Sequence, residues 1–295
     1  MDGMILINKE KGISSFGVVS RVRKILNMKK VGHSGTLDPI AEGLMQIMLG
    51  SGTKASKYLV EHDKTYIAVM KLGIKTDTLD EEGSIIDKDD FKLIKEDEEK
   101  YKEIFNSFVG KSKQVPPIYS AIKVNGKKLY EYAREDKKEE LEKIDIKERE
   151  IEIYSINIIN INYEENEIEY EVSCSKGTYI RALCEDIAKK MNTFAYMKSL
   201  KRTRINEYKI EDSITLEELE KMKLDVSNTK LFVSLENMFK DKDEVILNDR
   251  KKKLFLNGVK LTQNKSDGIY RIYSSNCFVG IGTIEDNLLK RDIVL

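Results

Sequence analysis

The sequence predicts an α+β protein: a large, mixed but mainly antiparallel β-sheet flanked by helices, followed by a small β-rich module near the C-terminal end. Three observations carry this. Several stretches alternate along the chain at the period of a strand, as in Lys64–Leu72 and Glu167–Cys174. Between them lie segments with apolar residues at helical spacing, such as Thr178–Met191 with Ile180, Leu183, Cys184, Ile187 and Met191. From about Asp243 the texture changes to short strand-like pieces separated by Asn-Gly and Ser-Asp-Gly turns.

Element by element, Met4–Asn8 is a short apolar run fit for a buried strand. Ser14 is placed to cap a helix in which Val18, Val22, Ile25 and Leu26 recur at helical spacing, ending near Asn27. The segment Val31-Gly32-His33-Ser34-Gly35-Thr36-Leu37-Asp38-Pro39 has no periodicity and reads as an ordered loop in which Pro39 opens a short helical turn. Leu44–Leu49 is apolar again, and Thr53 is placed to cap a helix running to about Glu61. Lys64–Leu72 is apolar enough on both faces to be largely buried. Asp97–Phe108 carries Tyr101, Ile104, Phe105 and Phe108 on one side of a helix. Asn125-Gly126 is a hairpin signal, and the charged run Glu135–Glu150 reads as a mobile or exposed connection. Ile151–Ile161 and Glu167–Cys174 are expected to pair as strands. A further strand is expected near Thr203–Tyr208 and a helix at Leu216–Met222. Strands at Glu244–Leu247, Gly268–Tyr273 and Cys277–Thr283 then form an all-β module of roughly fifty residues, at the lower edge of what folds alone.

A chain of 295 residues suits one large domain and a smaller one, expected at residues 1–235 and 243–295. There is no apolar run long enough to span a bilayer, and the opening MDGMILINKEKG is too short an apolar core for a secretory signal, so a soluble cytoplasmic protein is expected. Cys174, Cys184 and Cys277 are odd in number and widely spaced, which argues against a disulfide framework and a structural zinc site. All three are expected to be buried thiols. With only His33 and His62 available, a multi-histidine metal centre is not expected.

The 51 basic and 51 acidic residues cancel, which by itself weighs against a nucleic-acid partner. Their distribution points the other way. Bases bunch at Arg21, Arg23, Lys24, Lys29 and Lys30; at Lys123, Lys127 and Lys128; at Lys198, Lys201, Arg202 and Arg204; and at Arg250–Lys253. Acids bunch at Asp77–Glu82, Asp87–Asp90 and Glu96–Glu99. Singly such runs are solvated faces; four basic clusters beside apolar segments also suit a groove that follows phosphates.

Asp38 has two readings. It can cap the turn that Pro39 opens, or its carboxylate can attack a ligand that the loop glycines let close. Arg181, just after a glycine turn at a helix start, can hold a carboxylate ionised through a two-pronged charge-assisted bond, or be an unpartnered surface arginine. Tyr66 and Tyr179 are either core rings with a bonded hydroxyl or faces for an extruded pyrimidine. His33 is a packed imidazole or a polar wedge. None of these decides the matter alone.

The strings do so together. LINKEKGISSF (Leu6–Phe16), VGHSGTLDPIAEGL (Val31–Leu44), KTYIAVMKLGIKTDTLDEEG (Lys64–Gly83), QVPPIYSAIKVNGKKLYEYAR (Gln114–Arg134) and CSKGTYIRAL (Cys174–Leu183) occur in the order found in the bacterial tRNA pseudouridine synthase family called TruB, which the chain resembles from Met4 to about Arg204. The resemblance implies isomerisation of the uridine of the TΨC stem-loop of tRNA, conventionally position 55, without metal, cofactor or guide RNA. It implies Asp38 as nucleophile, Arg181 as its partner and Tyr66 stacked on the flipped uracil near the C5 proton. It further implies His33 in the space left by flipped nucleotides, and Tyr179 and Leu200 lining the uridine pocket. An RNA-clasping insertion would span about 112–148, and residues 243–295 would be a small PUA-like β-barrel that binds RNA. Whether Asp38 first adds to C1′ or takes a proton from C2′ stays open at this stage. Monomer is the default expectation for the oligomeric state.

Two positions depart from the family pattern. Glu10 stands where proline is usual, which removes a rigid turn, and Ser34 stands where threonine is commoner. Two other functions compete with the enzyme: an RNA-binding protein without catalysis, and the same fold working inside a guide-RNA complex.

Overall fold

A computed structural model describes residues 1–59, 63–120, 122–124, 126–134 and 146–295. The chain divides into two compact units that interleave in sequence. Met1–Asp38, Leu44–Val60 and Glu211–Leu295 form the first, and Pro39–Gly43 with Glu61–Ile210 the second. The end of the helix expected to run to Glu61, Asn125 of the hairpin turn, and residues 135–145 of the expected connection lie outside the described residues.

In the first unit the strand Gly3–Lys9 is almost wholly buried, as its unbroken apolar run requires. It pairs antiparallel with Phe232–Ser234 and neighbours Glu42–Leu49. The helix Ser15–Ile25 begins where Ser14 accepts a hydrogen bond from the Gly17 N–H at 3.0 Å, and it buries Val18, Val19 and Val22. Beyond Leu26 the chain turns through Asn27 at φ 50°, a conformation asparagine tolerates, which stops the helix where expected. The opening of the expected loop is instead a strand: Val31–His33 pairs antiparallel with Ile47–Leu49. Three residues are too few for a visible period.

In place of a helix starting at Thr53 stand a 3₁₀ segment, Gly50–Ala55, and then the α-helical residues Ser56–Leu59. Thr53 donates to the Gly50 carbonyl inside that turn at 2.7 Å and caps nothing. The chain turns early because Gly50 takes φ +56° and Gly52 lies where a Cβ would stand 2.2 Å from the Gly3 carbonyl. The capping box of Thr215 and Glu218 opens the helix Leu216–Met222.

The C-terminal stretch forms a five-stranded sheet in the order Glu244–Ile246, Gly268–Ser274, Cys277–Glu285, Leu288–Val294, Leu261–Thr262. It is not all β. Asp249–Leu256 is a helix capped by Asn248, and its Phe255 is completely buried against Val245, Ile272 and Leu289. The run Arg250–Lys253 hides this helix in the sequence, because only Phe255 and its neighbour Leu256 pack inward. The sheet does not stand on its own core alone: Ile281 and Ile293 pack with Ala55, Leu235 and Phe239, and Tyr58 meets Phe239 edge-on at 5.4 Å. That shared core answers the difficulty of stabilising fifty residues by themselves.

In the second unit Lys64–Leu72 lies between Glu167–Cys174 on one side and Ala195–Ile205 on the other, both antiparallel. Arg149–Asn162 and then Gly110–Gln114 extend the sheet beyond Glu167–Cys174. The helix Ile180–Lys190 and the helix Glu98–Asn106 cover one face, where Tyr170 donates to or accepts from the Cys184 thiol at 3.1 Å and meets the Phe105 ring at 5.2 Å. Tyr66, Ala68, Met70 and Leu72 point to that face and are buried, whereas Ile67 and Val69 on the other side are only half-buried. The strand is therefore buried on one side rather than both, because the described helices cover one. Lys123–Val124 and Lys127–Lys128 pair as the expected hairpin, around Gly126 at φ +82°.

The largest departure is Ala195–Ile205, an eleven-residue strand of which only the last residues were expected. Lys198, Lys201, Arg202 and Arg204 conceal its alternation. Arg202 nevertheless is 1% exposed, so it is no part of a solvent-facing basic cluster. Its backbone pairs in parallel with Gly43, where φ is +106° and a Cβ would lie 2.3 Å from the Arg202 carbonyl. Only glycine permits that approach. Of the cysteines, Cys174 and Cys184 are buried as expected, but Cys277 is exposed, because it opens a strand just after the tight turn at Ser275 and Asn276. Among the described residues no helix is long and apolar enough to cross a membrane.

Two outcomes follow from this packing. Gly43→Ala is expected to cost at least 2 kcal/mol or so, and to lower the melting temperature by about 2–4 °C for each kcal/mol lost, measured by thermal unfolding. Burial pushes the Cys174 thiol up to about 11 and the Cys184 thiol up to about 12. A thiol reagent at neutral pH should therefore label Cys277 rapidly and the other two only after denaturation, as read by mass spectrometry of the digested protein.

Candidate active site

Asp38 stands in the first unit, half-buried, at the end of a stretch with no regular secondary structure. No helix follows it: Pro39 and Ile40 form a turn and the next element is the strand Glu42–Leu49. The helical turn expected to open at Pro39 is thus a plain turn. What holds this stretch are side chains. The Ser15 hydroxyl donates to the Leu37 carbonyl at 2.7 Å and accepts from the Leu37 N–H at 2.8 Å, with Ser15 and Leu37 both buried. One oxygen thereby pairs both backbone groups of the residue before Asp38. Upstream, Ser34 donates to the Gln46 side-chain carbonyl at 2.7 Å, so serine serves at that position without a threonine methyl. His33 ends the strand Val31–His33, half-buried opposite Ile47. Glu10, in the turn before the helix, is exposed, and its carbonyl accepts from the buried Lys9 ammonium at 3.0 Å.

Arg181 stands in the second unit as the second residue of the helix Ile180–Lys190. It is 6% exposed, which rules out the surface-arginine reading. One guanidinium nitrogen donates to the Thr78 carbonyl at 2.9 Å and lies 3.5 Å from the Asp80 carboxylate; the other donates to the Tyr119 carbonyl at 2.8 Å. A buried cation needs such partners, since desolvation otherwise costs several kcal/mol. Asp80 is itself built in. Its carboxylate accepts from the Thr78 hydroxyl at 2.6 Å and from the Glu82 N–H at 3.2 Å, within a turn that closes on Gly83. The turn is stitched to the strand Ala195–Ile205 through Met197, whose N–H donates to Leu79 and whose carbonyl accepts from Glu81.

Tyr66 and Leu200 share a sheet face. Tyr66 is opposite Val172 and Arg202, and Leu200 is opposite Ala68, so their side chains lie on the side covered by the Arg181 helix. Each is 7% exposed. Tyr179 is half-buried at the N-cap of the Arg181 helix, with extended backbone and no side-chain cap of its own. Both of its backbone groups are bound by the buried side chain of Gln114. Of the six residues singled out from the sequence, then, Tyr66, Tyr179, Arg181 and Leu200 belong to one unit and His33 and Asp38 to the other.

Three contributors escaped the sequence reading. Asp80 sat within an acidic run taken as solvated, yet it is 5% exposed; a carboxylate followed by Glu-Glu-Gly gives no outward sign of burial. Ser15 and Gln114 were visible only as letters inside the ISSF and QVPP strings. Their roles depend on partners 22 and 65 residues away.

The chain is similar to known proteins along nearly its whole length. Residues 23–180 match the family described as TruB family pseudouridylate synthase (N terminal domain). Residues 181–246 match the tRNA pseudouridylate synthase B C-terminal domain, and 244–291 match a further TruB C-terminal family. A protein of Clostridium kluyveri named tRNA pseudouridine synthase B is 43% identical over 297 residues, covering 98% of each chain. One of the same name from Clostridioides difficile is 40% identical, covering 96% of this chain and 95% of its own. Among solved structures, a Cbf5–Nop10–Gar1 complex superposes with a TM-score of 0.67 at 24% identity, covering 99% of this chain and 83% of that one, a likeness of fold alone.

The Arg181 cluster makes a stability prediction. Asp80→Ala removes the carboxylate beside a buried guanidinium and should lower the unfolding free energy by about 3 kcal/mol, seen as a shifted urea midpoint. Asp80→Asn, which keeps an acceptor for Thr78 and Glu82, should lose less.

Proposed function

The chain belongs to the TruB family of pseudouridine synthases, and on that premise we propose that it isomerises the uridine of the TΨC stem-loop of tRNA, conventionally position 55. The observation that carries the reading is the match along the whole chain to relatives named tRNA pseudouridine synthase B, with Asp38 inside its GHSGTLDP string. The reaction exchanges the N1–C1′ bond for a C5–C1′ bond. C5 loses a proton and N1 gains one, so no electrons change hands and no cofactor is called for. What the protein must supply is a nucleophile, a pocket for the loose ring and a way to draw the base from its stack.

Asp38 is the nucleophile in this reading, and Arg181 the guanidinium that keeps a carboxylate ionised. Tyr66 lies against the flipped uracil and handles the C5 proton; Tyr179 and Leu200 complete the pocket; His33 fills the place of extruded nucleotides. Stacking of about 1–3 kcal/mol per base offsets an extrusion cost of similar size. Residues 1–235 are read as the catalytic domain, with an RNA-clasping insertion at about 112–148, and residues 243–295 as a PUA-like RNA-binding module. The protein works on tRNA as a cytoplasmic monomer without a guide RNA. In support, the relatives at about 40% identity over nearly the whole chain bear the name of a tRNA enzyme.

Asp38→Ala should abolish tritium release from C5-labelled uridine in a TΨC hairpin while hairpin binding survives within a few-fold; undiminished release would remove Asp38 from the chemistry. Affinity for the hairpin should also fall steeply with salt, because phosphate neutralisation releases counterions. A flat salt dependence would mean that the basic clusters are ordinary surface.

A further inference from the structure

The helix that carries Arg181 begins without the usual device. A helix N-terminus leaves backbone N–H groups unpaired, and Ser, Thr, Asp or Asn at the cap ordinarily takes one of them. Here the cap is Tyr179, with no side-chain cap bond and no acidic residue in the first turn. Its φ of −98° and ψ of 110° are those of a strand, so its own N–H and C=O face the same side. Among the described residues no strand pairs them. The Gln114 side-chain amide does so: its carbonyl oxygen accepts from the Tyr179 N–H at 2.8 Å, and its NH₂ donates to the Tyr179 carbonyl at 3.1 Å. The same carbonyl accepts the first helical bond, from the Leu183 N–H at 3.0 Å.

We infer that Gln114 is a positioning residue, whose amide fixes the Tyr179 backbone and through it the placement of the Tyr179 ring and the Arg181 guanidinium. This rests on the reading of Tyr179 and Arg181 as site residues given above. Three features make the amide suited to the task. It is 3% exposed, so water does not compete for its two bonds. It carries donor and acceptor on one rigid plane, the pairing that a peptide group would offer. It also ends the strand Gly110–Gln114, held opposite Arg149, so it is anchored to the sheet rather than to a loop. Five residues on, the Tyr119 carbonyl accepts from Arg181 itself at 2.8 Å. The segment 114–119 therefore grips the start of the helix twice, once through Tyr179 and once through Arg181. A misplacement of catalytic groups by about 1 Å costs on the order of 100-fold in rate, which sets the scale of the effect.

The test compares the full-length protein with Gln114→Met and Gln114→Glu, by single-turnover tritium release from the hairpin and by hairpin affinity. Gln114→Met keeps the length and loses both bonds. It should lower the single-turnover rate roughly 10- to 100-fold while the hairpin Kd stays within about 3-fold. Gln114→Glu supplies the acceptor always and the donor only when protonated, which burial favours. Its rate relative to wild type should rise as pH falls from 8 to 6, whereas that of Gln114→Met should stay flat. Arg149 and Arg181 are the charged neighbours that oppose this rise. Full activity of Gln114→Met would overturn the inference, as would equal losses in rate and affinity. Failure of both variants to fold would overturn it too, making Gln114 a residue of stability. No tritium release from wild type would instead refute the proposed reaction, a separate outcome.

Discussion

A backbone N–H or C=O that leaves water must find a partner, and irregular segments have no ladder to provide one. In this protein two irregular stretches, one ending at Asp38 and one ending at Tyr179, meet that demand in the same way. Ser15 binds both backbone groups of Leu37, next to Asp38, and Gln114 binds both backbone groups of Tyr179, two residues before Arg181. Each clamp uses one buried side chain anchored on a regular element, a helix in one unit and a strand in the other. Loops held like this can present functional groups with the definition of the secondary structure behind them.

The buried guanidinium of Arg181 extends the same constraint to charge. It draws on the Thr78 and Tyr119 carbonyls and on the Asp80 carboxylate, and Asp80 is bound in turn by Thr78 and Glu82. The turn from Thr76 to Gly83 exists in this shape because Met197 pairs with it on the far side. A strand the sequence barely announces is therefore the support on which an arginine the sequence announces clearly depends. Gly43 completes that support, since any larger residue would collide with the Arg202 carbonyl and open the parallel pairing.

Cancelled charges turned out to be a poor guide to function, and charge runs an uneven one. Arg202 sits in a basic cluster and is buried; Asp80 sits in an acidic one and is buried as well. Arg250–Lys253 form half of a helix that belongs to the core of the C-terminal sheet through Phe255. A run of like charge describes the exposed side of an element and says little about what its remaining residues do.

Periodicity alone determined the α+β class and most of the elements. The strands Gly3–Lys9, Lys64–Leu72 and Glu167–Cys174 and the helices Ser15–Ile25 and Ile180–Lys190 stand where apolar spacing puts them, because one covered face imposes that spacing. The ordered strings of motif residues identified the family, and with it the reaction class, since they keep local chemistry and local order together. Tertiary structure decided the rest. It made Ala195–Ile205 a central strand despite its charges, turned Val31–His33 from loop to strand, left Cys277 exposed, and placed Asp80, Ser15 and Gln114 beside the residues they hold. These outcomes depend on partners tens of residues distant. A sequence shows the period of a face and the letters of a motif, but a hydrogen bond to a remote carbonyl leaves no period behind it.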